Sequence, residues 1–215
     1  MLTVGLTGNI GAGKSTVAEL LVAHGAYLVD ADKVAREVVE PGAAAYQPLV
    51  DRFGPGILDD AGRVDRPKLA ATVFGHPEEL EALNAVIHPA IGIAMIEAKD
   101  AHAGTDHVVV MDIPLLRSFH RELLSLDAVV VVDVPAELAL ERLVTLRGMP
   151  EDDARARQAA QPTRAERLEG ADLVVDNSDG REHLAAEVDR VWAALAELPR
   201  PVAGSGRADP AAPAH

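Results

Sequence analysis

The sequence of 215 residues contains no cysteine and has little positive charge. The absence of cysteine excludes disulfide bonds and thiolate metal sites, and it suits a reducing cytoplasm. Lysine and arginine together number 20 against 34 acidic residues, a net charge of −14. We therefore expect neither nucleic acid nor an anionic membrane surface as a partner. The longest apolar stretch, around 126–134, is too short to span a bilayer, and no signal-peptide pattern opens the chain.

Short apolar runs along the chain indicate strands. The predicted strands are Leu2–Leu6, Tyr27–Val29, His107–Met111, Ala128–Val132 and Leu173–Val175. The third and fourth are β-branched runs without polar alternation, which is typical of central parallel strands covered on both faces. Helical periodicity between the strands is clearest at 16–24, 137–146 and 181–198. Strands that alternate with helices predict an α/β fold with a parallel sheet.

Two segments interrupt this alternation. Residues 35–100 contain amphipathic pieces and no convincing strand, which indicates a helical insertion; within it, Pro89 should break or kink a helix. Residues 146–168 are rich in charge and poor in bulky apolar side chains, as in a solvated helical flap. The Pro-, Ala- and Gly-rich stretch 199–215 predicts a disordered tail. The predicted core is the remainder, 1–34, 101–145 and 169–198.

The segment "GNIGAGKST", Gly8 to Thr16, matches the pattern G-x-x-x-x-G-K-[ST] between a predicted strand and a predicted helix. A polyphosphate must contact backbone N–H groups, which side chains at the glycines would block. The helix that follows directs its N-terminal amides at the phosphates. Lys14 would contact the β- and γ-phosphates, and Ser15 would ligate Mg²⁺. The sequence therefore predicts a nucleoside triphosphate site. The predicted contacts are Gly8, Asn9, Ile10, Gly11, Ala12, Gly13, Lys14, Ser15 and Thr16.

Three aspartates follow predicted strands, at the edge where doubly wound sheets bind ligands. Asp32, in "VDAD", is a candidate general base for an acceptor hydroxyl, and Asp30 could hold Mg²⁺ through water or orient the loop. Either residue could be the N-cap of the following helix, and this role does not exclude the other. Asp112, at the end of "VVVMD", is either an acid that supports Mg²⁺ or a turn residue before a proline.

The phosphate loop alone is compatible with a kinase, a GTPase switch or a mechanical ATPase. A GTPase should also carry an N-K-x-D or T-K-x-D motif, and the sequence has neither. A candidate general base at Asp32 favours a kinase over a nucleotide-dependent switch.

Five arginines cluster in and beside the flap of 146–168. Arginines on a mobile lid can neutralise the charge of a transferring phosphate and exclude water, the competing acceptor. We favour this role for Arg142 and Arg147, which lie beside the hinge residue Gly148. For Arg155 and Arg164 we favour a solvated helix with i,i+4 pairs to its acidic residues. The fifth arginine of this cluster is Arg157, also in the flap.

Six motifs occur in the order found in bacterial dephospho-CoA kinases, and the chain resembles that family from Met1 to about Trp192. They are "GLTGNIGAGKS", "VDADKVAREVV", "LNAVIHP", "DIPLL", "ERLVTLRG…ARARQAAQ" and "ADLVVDNS". The resemblance implies a P-loop NTPase core of three α/β/α layers with a parallel five-stranded sheet. It also implies a helical domain for dephospho-CoA at 35–100 and a helical lid at 146–168.

The resemblance implies transfer of the γ-phosphate of ATP, with Mg²⁺, to the 3′-hydroxyl of dephospho-CoA, which gives coenzyme A. It implies a cytoplasmic enzyme that is a monomer or a weak homo-oligomer. The implied site residues are Lys14, Asp32 and Arg142 for catalysis; Arg147 and Asn177, with the loop, for ATP; Asp32, His88, Leu115 and Arg157 for the acceptor; and Ser15 and Asp112 for Mg²⁺. After "DIPLL" the family usually has a hydrophobic residue and an acid. This chain has Arg117 and Ser118 there, a departure that bears on any substrate contact from this turn but not on the core chemistry.

Overall fold

A computed structural model describes residues 1–200, so nearly all of the tail predicted at 199–215 lies outside the described residues. The strands are β1 (Leu2–Gly8), β2 (Tyr27–Asp30), β3 (Val108–Asp112), β4 (Ala128–Asp133) and β5 (Leu173–Asp176). The helices are α1 (Lys14–Ala23), α2 (Ala31–Glu37), α3 (Tyr46–Phe53), α4 (Arg66–Val73), α5 (Pro77–Asp100), α6 (Ser118–Leu123), α7 (Ala136–Arg147), α8 (Glu151–Ala159), α9 (Arg164–Glu169) and α10 (Arg181–Ala196), with a 3₁₀ turn at Pro55–Ile57.

The five strands form one parallel sheet in the order β2-β3-β1-β4-β5. This confirms the predicted fold class and the five predicted strands, each of which ends one or two residues later than the sequence indicated. In a parallel sheet all carboxyl ends meet at the same edge. The phosphate loop after β1 and the acids that end β2 and β3 are therefore neighbours.

Side chains of the central strands alternate between two apolar layers, which is why these runs show no polar alternation. On one face, Leu2, Val4 and Leu6 of β1 pack with apolar residues of α1 and α10. On the other face, Val109 and Met111 of β3 pack with residues of α3, α4 and α5. The sheet is thus covered by helices on both sides, as a three-layer α/β/α fold requires.

The insertion is helical, with a single antiparallel bridge between Leu58 and Val64. Its predicted beginning at residue 35 falls inside α2, because that helix starts directly after β2. Of the two effects predicted for Pro89, a break or a kink, the break does not occur, since α5 continues through it from Pro77 to Asp100. Apolar side chains on both sides of the proline, such as Ile87 and Ile91, pack on the core and hold the helix together.

By length and composition, α5 is the one helix within residues 1–200 that could cross a membrane. The sequence did not reveal it because the apolar residues of α5 are spread over 24 positions rather than forming one run. Its Ala90 and Met95 are buried, whereas Ile93 on another face is exposed. The helix packs in this way against the same apolar layer as α3 and α4, as a core helix of the insertion does.

Candidate active site

The phosphate loop leaves β1 at Gly8 and enters α1 at Lys14, as predicted. Gly11 and Gly13 have φ of 82° and 84°, in the left-handed region that favours glycine. A Cβ on Gly11 would lie 2.6 Å from the carbonyl oxygen of Ala139, and one on Gly13 would collide with Nδ2 of Asn177. The loop therefore needs bare backbone to pack on α7 and on the turn after β5, besides any need of the phosphate.

Two side chains from distant parts of the chain hold the loop backbone. Nδ2 of Asn177 donates to the carbonyl oxygen of Ala12 at 2.7 Å, and the residue is buried. Oε1 of Gln161 accepts from the backbone N–H of Ile10 at 3.0 Å. Asn177, predicted to bind ATP, thus contacts the loop itself, and Gln161 was not predicted at all. Gln161 is the second glutamine of "QAAQ", which is part of a motif that carries the family resemblance, so that motif could have pointed to it.

Lys14 forms an ion pair with Asp112, which comes from the end of β3 and is buried. Burial raises the pKa of Asp112 above its usual value; the lysine opposes this effect, and the charges of Asp30 and Asp32 add to it. In the sheet, Asp112 lies opposite both Leu6 of β1 and Asp30 of β2. The structure thus places three carboxylates and the loop lysine at one strand edge.

The two aspartates of "VDAD" have different roles in the fold. Asp30 is the N-cap of α2, because its Oδ1 accepts from the N–H groups of Asp32 and Lys33 at 2.8 and 3.1 Å. The side chain of Asp32 is exposed and has no hydrogen bond or ion pair within residues 1–200. The capping alternative therefore applies to Asp30, and the carboxylate of Asp32 is left available to a ligand.

A cavity of about 700 Å³ lies beside Asp32, between α5, α6 and the loop after β3. We call it the α5–α6 cavity. Its wall includes the polar residues Asp32, His88, Arg117 and His120 and the apolar residues Ile91, Met95, Leu115, Phe119 and Leu123. Three of the four predicted acceptor residues, Asp32, His88 and Leu115, share this cavity. Arg157 lies on α8, outside its wall.

The flap arginines fall into two groups. Arg155 pairs with Glu151 one turn away at 2.8 Å, as predicted. Arg164 was expected to pair within its own helix, but it binds the buried Asp133 at the end of β4 with contacts of 2.6 to 3.0 Å. That expectation was wrong, because β4 and α9 are brought together only by the tertiary fold. Asp133 ends its strand as Asp112 does, so the strand-edge argument could have found it.

The second group has no protein partner in the part of the chain that the structure describes. Arg142, Arg147 and Arg157 form no hydrogen bond or ion pair with any residue in the described range 1–200. Arg142 is half-buried on α7. The next residue, Leu143, packs close to Gly11 of the loop: a Cβ added to that glycine would lie 3.1 Å from Cγ of Leu143. These three guanidinium groups are free to meet an anion, and Arg142 is the one whose helix neighbour borders the loop.

No group of three or more His, Asp or Glu residues suited to a metal ion occurs within residues 1–200. Mg²⁺ bound with a nucleotide does not need such a group, because phosphate oxygens and waters supply most of its ligands. Ser15, exposed in the first turn of α1, and Asp112 offer a hydroxyl and a carboxylate oxygen. This donor set fits Mg²⁺, provided that the Asp112 carboxylate gives up its ion pair with Lys14 and binds the ion.

Comparisons with known proteins agree with this geometry. A sequence model of the dephospho-CoA kinase family matches residues 2–183. A dephospho-CoA kinase of Streptomyces avermitilis is 52% identical over 91% of this chain and 94% of its own length. One of Thermobifida fusca is 47% identical over 91% of this chain and 96% of its own. Among solved structures, a Thermus thermophilus protein superposes with a TM-score of 0.75 at 32% identity, covering 93% of this chain and 98% of its own. A dephospho-CoA kinase of Campylobacter jejuni gives a TM-score of 0.66 at 25% identity, covering 90% and 96%.

Proposed function

The chain belongs to the dephospho-CoA kinase family, and we propose that Lys14, Asp32 and Arg142 carry out its phosphoryl transfer. The reaction moves the γ-phosphate of ATP to the 3′-hydroxyl of dephospho-CoA, giving coenzyme A and ADP in the last step of coenzyme A biosynthesis. The observation that carries the proposal is the carboxylate of Asp32, which has no partner among residues 1–200. It lies on the α5–α6 cavity, at the strand edge that also bears the phosphate loop.

The phosphate loop binds ATP. Its backbone N–H groups and the first turn of α1 face the phosphates, and Lys14 adds a positive charge at the β- and γ-phosphates. In the described structure that lysine pairs with Asp112, so nucleotide binding requires Lys14 to leave this carboxylate. Ser15 and Asp112 would then hold Mg²⁺. When bound, Mg²⁺ would supply the positive charge that offsets the negative charge developing during phosphoryl transfer.

The α5–α6 cavity binds the acceptor. Asp32 accepts the proton of the 3′-hydroxyl as that oxygen attacks the γ-phosphorus, and it needs no rearrangement because no group of the described chain occupies its carboxylate. His88 offers a ring nitrogen on the same wall, and Leu115 contributes apolar surface. The helical segment 35–100 supplies the α5 side of this cavity, which supports its assignment to the acceptor.

Arg142, with Arg147 and Arg157, neutralises the transferring phosphate. Residues 146–168 serve as the lid: Ala154 of α8 is buried in one apolar cluster with Leu140 and Leu143 of α7, and Ile10 of the loop packs against that cluster. Closure of such a lid over bound ATP excludes the water that would otherwise accept the phosphate. We assign the enzyme to the cytoplasm, as a monomer or a weakly associating homo-oligomer with small-molecule substrates.

The change Arg142→Gln should lower kcat by about 10²-fold, because it removes a cation that acts on the charge of the transition state. The matched control is Arg155→Gln, whose guanidinium is exposed and already paired with Glu151. We expect kcat of the control within about twofold of the wild type, since an exposed pair contributes little. Steady-state ADP release with dephospho-CoA measures both. Equal losses in the two variants would contradict a specific role for Arg142.

The function itself is tested by ADP release from ATP with dephospho-CoA, AMP, CMP and shikimate as alternative acceptors. We expect turnover with dephospho-CoA to exceed turnover with the other three. Turnover with a nucleoside monophosphate and none with dephospho-CoA would instead indicate another small-molecule kinase of the P-loop class. Nucleotide binding without phosphoryl transfer to any acceptor would indicate a regulatory switch.

A further inference from the structure

Two cavities adjoin the short helix α6, and Arg117 and Phe119 line both of them. The first is the α5–α6 cavity, which contains Asp32. The second, the α6–α9 cavity, has a volume of about 810 Å³ and is floored by Val129 and Val131 of β4. A ligand longer than a nucleoside therefore has room on both sides of Arg117.

Arg117 is the one lysine or arginine on the described wall of the α5–α6 cavity. Its side chain is exposed, and it has no carboxylate partner within residues 1–200. The other ionisable groups on that wall are Asp32, His88 and His120. An anionic ligand in this cavity would meet the negative charge of Asp32, so it needs a cation in compensation.

His120 does not supply that positive charge at neutral pH. Its Nδ1 accepts a hydrogen bond from the backbone N–H of Arg117 at 2.9 Å, so this nitrogen carries no proton. Burial also lowers the pKa of His120. The ring can therefore donate a neutral hydrogen bond from Nε2 to a ligand. The permanent charge at this end of the cavity comes from Arg117.

The acceptor has a matching chemistry. Dephospho-CoA is an adenosine joined through a diphosphate on its 5′ side to a long pantetheine arm. If its 3′-hydroxyl lies at Asp32, its diphosphate follows on the other side of the same ribose. A guanidinium binds phosphate oxygens with two parallel N–H groups, more specifically than an ammonium does. We propose that Arg117 binds the diphosphate of the acceptor where the two cavities meet. This inference rests on the proposed function, and it makes Arg117 a binding residue that the family pattern does not provide.

The test is the affinity for dephospho-CoA, measured by calorimetry on enzyme saturated with AMP-PNP and Mg²⁺ so that the phosphate loop is occupied. The change Arg117→Met should raise the Kd by about 10- to 100-fold, the range for loss of a charged hydrogen bond. Arg117→Lys should fall between it and the wild type. Arg66→Met removes an exposed arginine at the start of α4 and should leave the Kd unchanged. Adenosine has the 3′-hydroxyl but no phosphate. It should compete with dephospho-CoA equally well in the Arg117→Met variant and in the wild type.

A Kd for Arg117→Met within about twofold of the wild-type value would overturn the inference. Equal loss of dephospho-CoA and adenosine binding would also overturn it, because that outcome indicates a changed cavity shape rather than a lost charge. Circular dichroism melting of each variant confirms that the comparison is made between folded proteins. If the wild type does not phosphorylate dephospho-CoA, the proposed function fails; if it does and Arg117→Met binds normally, only the role of Arg117 fails.

Discussion

The change Asp32→Asn is expected to lower kcat by about 10²–10⁴-fold, the usual effect of losing a general base. An asparagine keeps the size of the side chain but cannot take the proton of the acceptor hydroxyl. Asp32 caps no helix and pairs with no group in residues 1–200, so its replacement should not disturb the fold. The affinity for ATP should change little. Steady-state kinetics with dephospho-CoA give kcat, and calorimetry gives the Kd of the nucleotide.

The matched control for this change is Glu37→Gln. Glu37 lies on the same helix and is exposed, and it faces Lys33 at 3.8 Å. The control removes the same charge from the same element at a distance from the strand edge. We expect its kcat within about twofold of the wild type, as for other exposed pairs. Turnover of Asp32→Asn within about fivefold of the wild type would leave Asp32 as a surface residue beside the cavity.

The sheet could be predicted from the sequence because its strands are short apolar runs, and because β3 and β4 are β-branched and buried on both faces. Their ends could not, because each predicted strand was stopped at its last apolar residue. In the structure four of the five strands, β2 to β5, continue through an aspartate, with Asp30 opposite Asp112 and Asp133 opposite Asp176. Backbone pairing does not depend on the polarity of the side chain. These same aspartates lie at the edge of the sheet that bears the phosphate loop.

The site was predictable where a local pattern carries the chemistry and unpredictable where distant segments meet. The loop follows from its G-x-x-x-x-G-K-[ST] pattern, and the neighbouring acids follow from the strand ends. The distinction between Asp30 and Asp32 needed the backbone of α2, since either could cap a helix in principle. Gln161 and Arg164 find their partners through contacts across 151 and 31 positions of the chain. The sequence showed Arg117 as a departure from the family pattern after "DIPLL". It did not show that this residue lines a cavity.

The change Lys14→Met is expected to lower kcat/KM by at least about 10³-fold, because it removes a cation from both the bound phosphates and the transition state. It should also destabilise the protein by about 1–3 kcal/mol, since Asp112 then lies buried without a partner. The side chain of Asp112 is 8% exposed and that of its lysine partner 17%, so water does little to compensate for the lost ion pair. Urea unfolding at pH 7 measures the stability, and ADP release measures the activity.

The double variant Lys14→Met with Asp112→Asn separates these two effects. Because the amide is neutral, it relieves the buried charge, and we expect most of the lost free energy of unfolding to return. Activity should not return, since both the phosphate cation and a Mg²⁺ ligand are then missing. If the double variant regained turnover together with stability, the lysine would act only by neutralising Asp112. The strand edge would then be a structural ion pair rather than the centre of phosphoryl transfer.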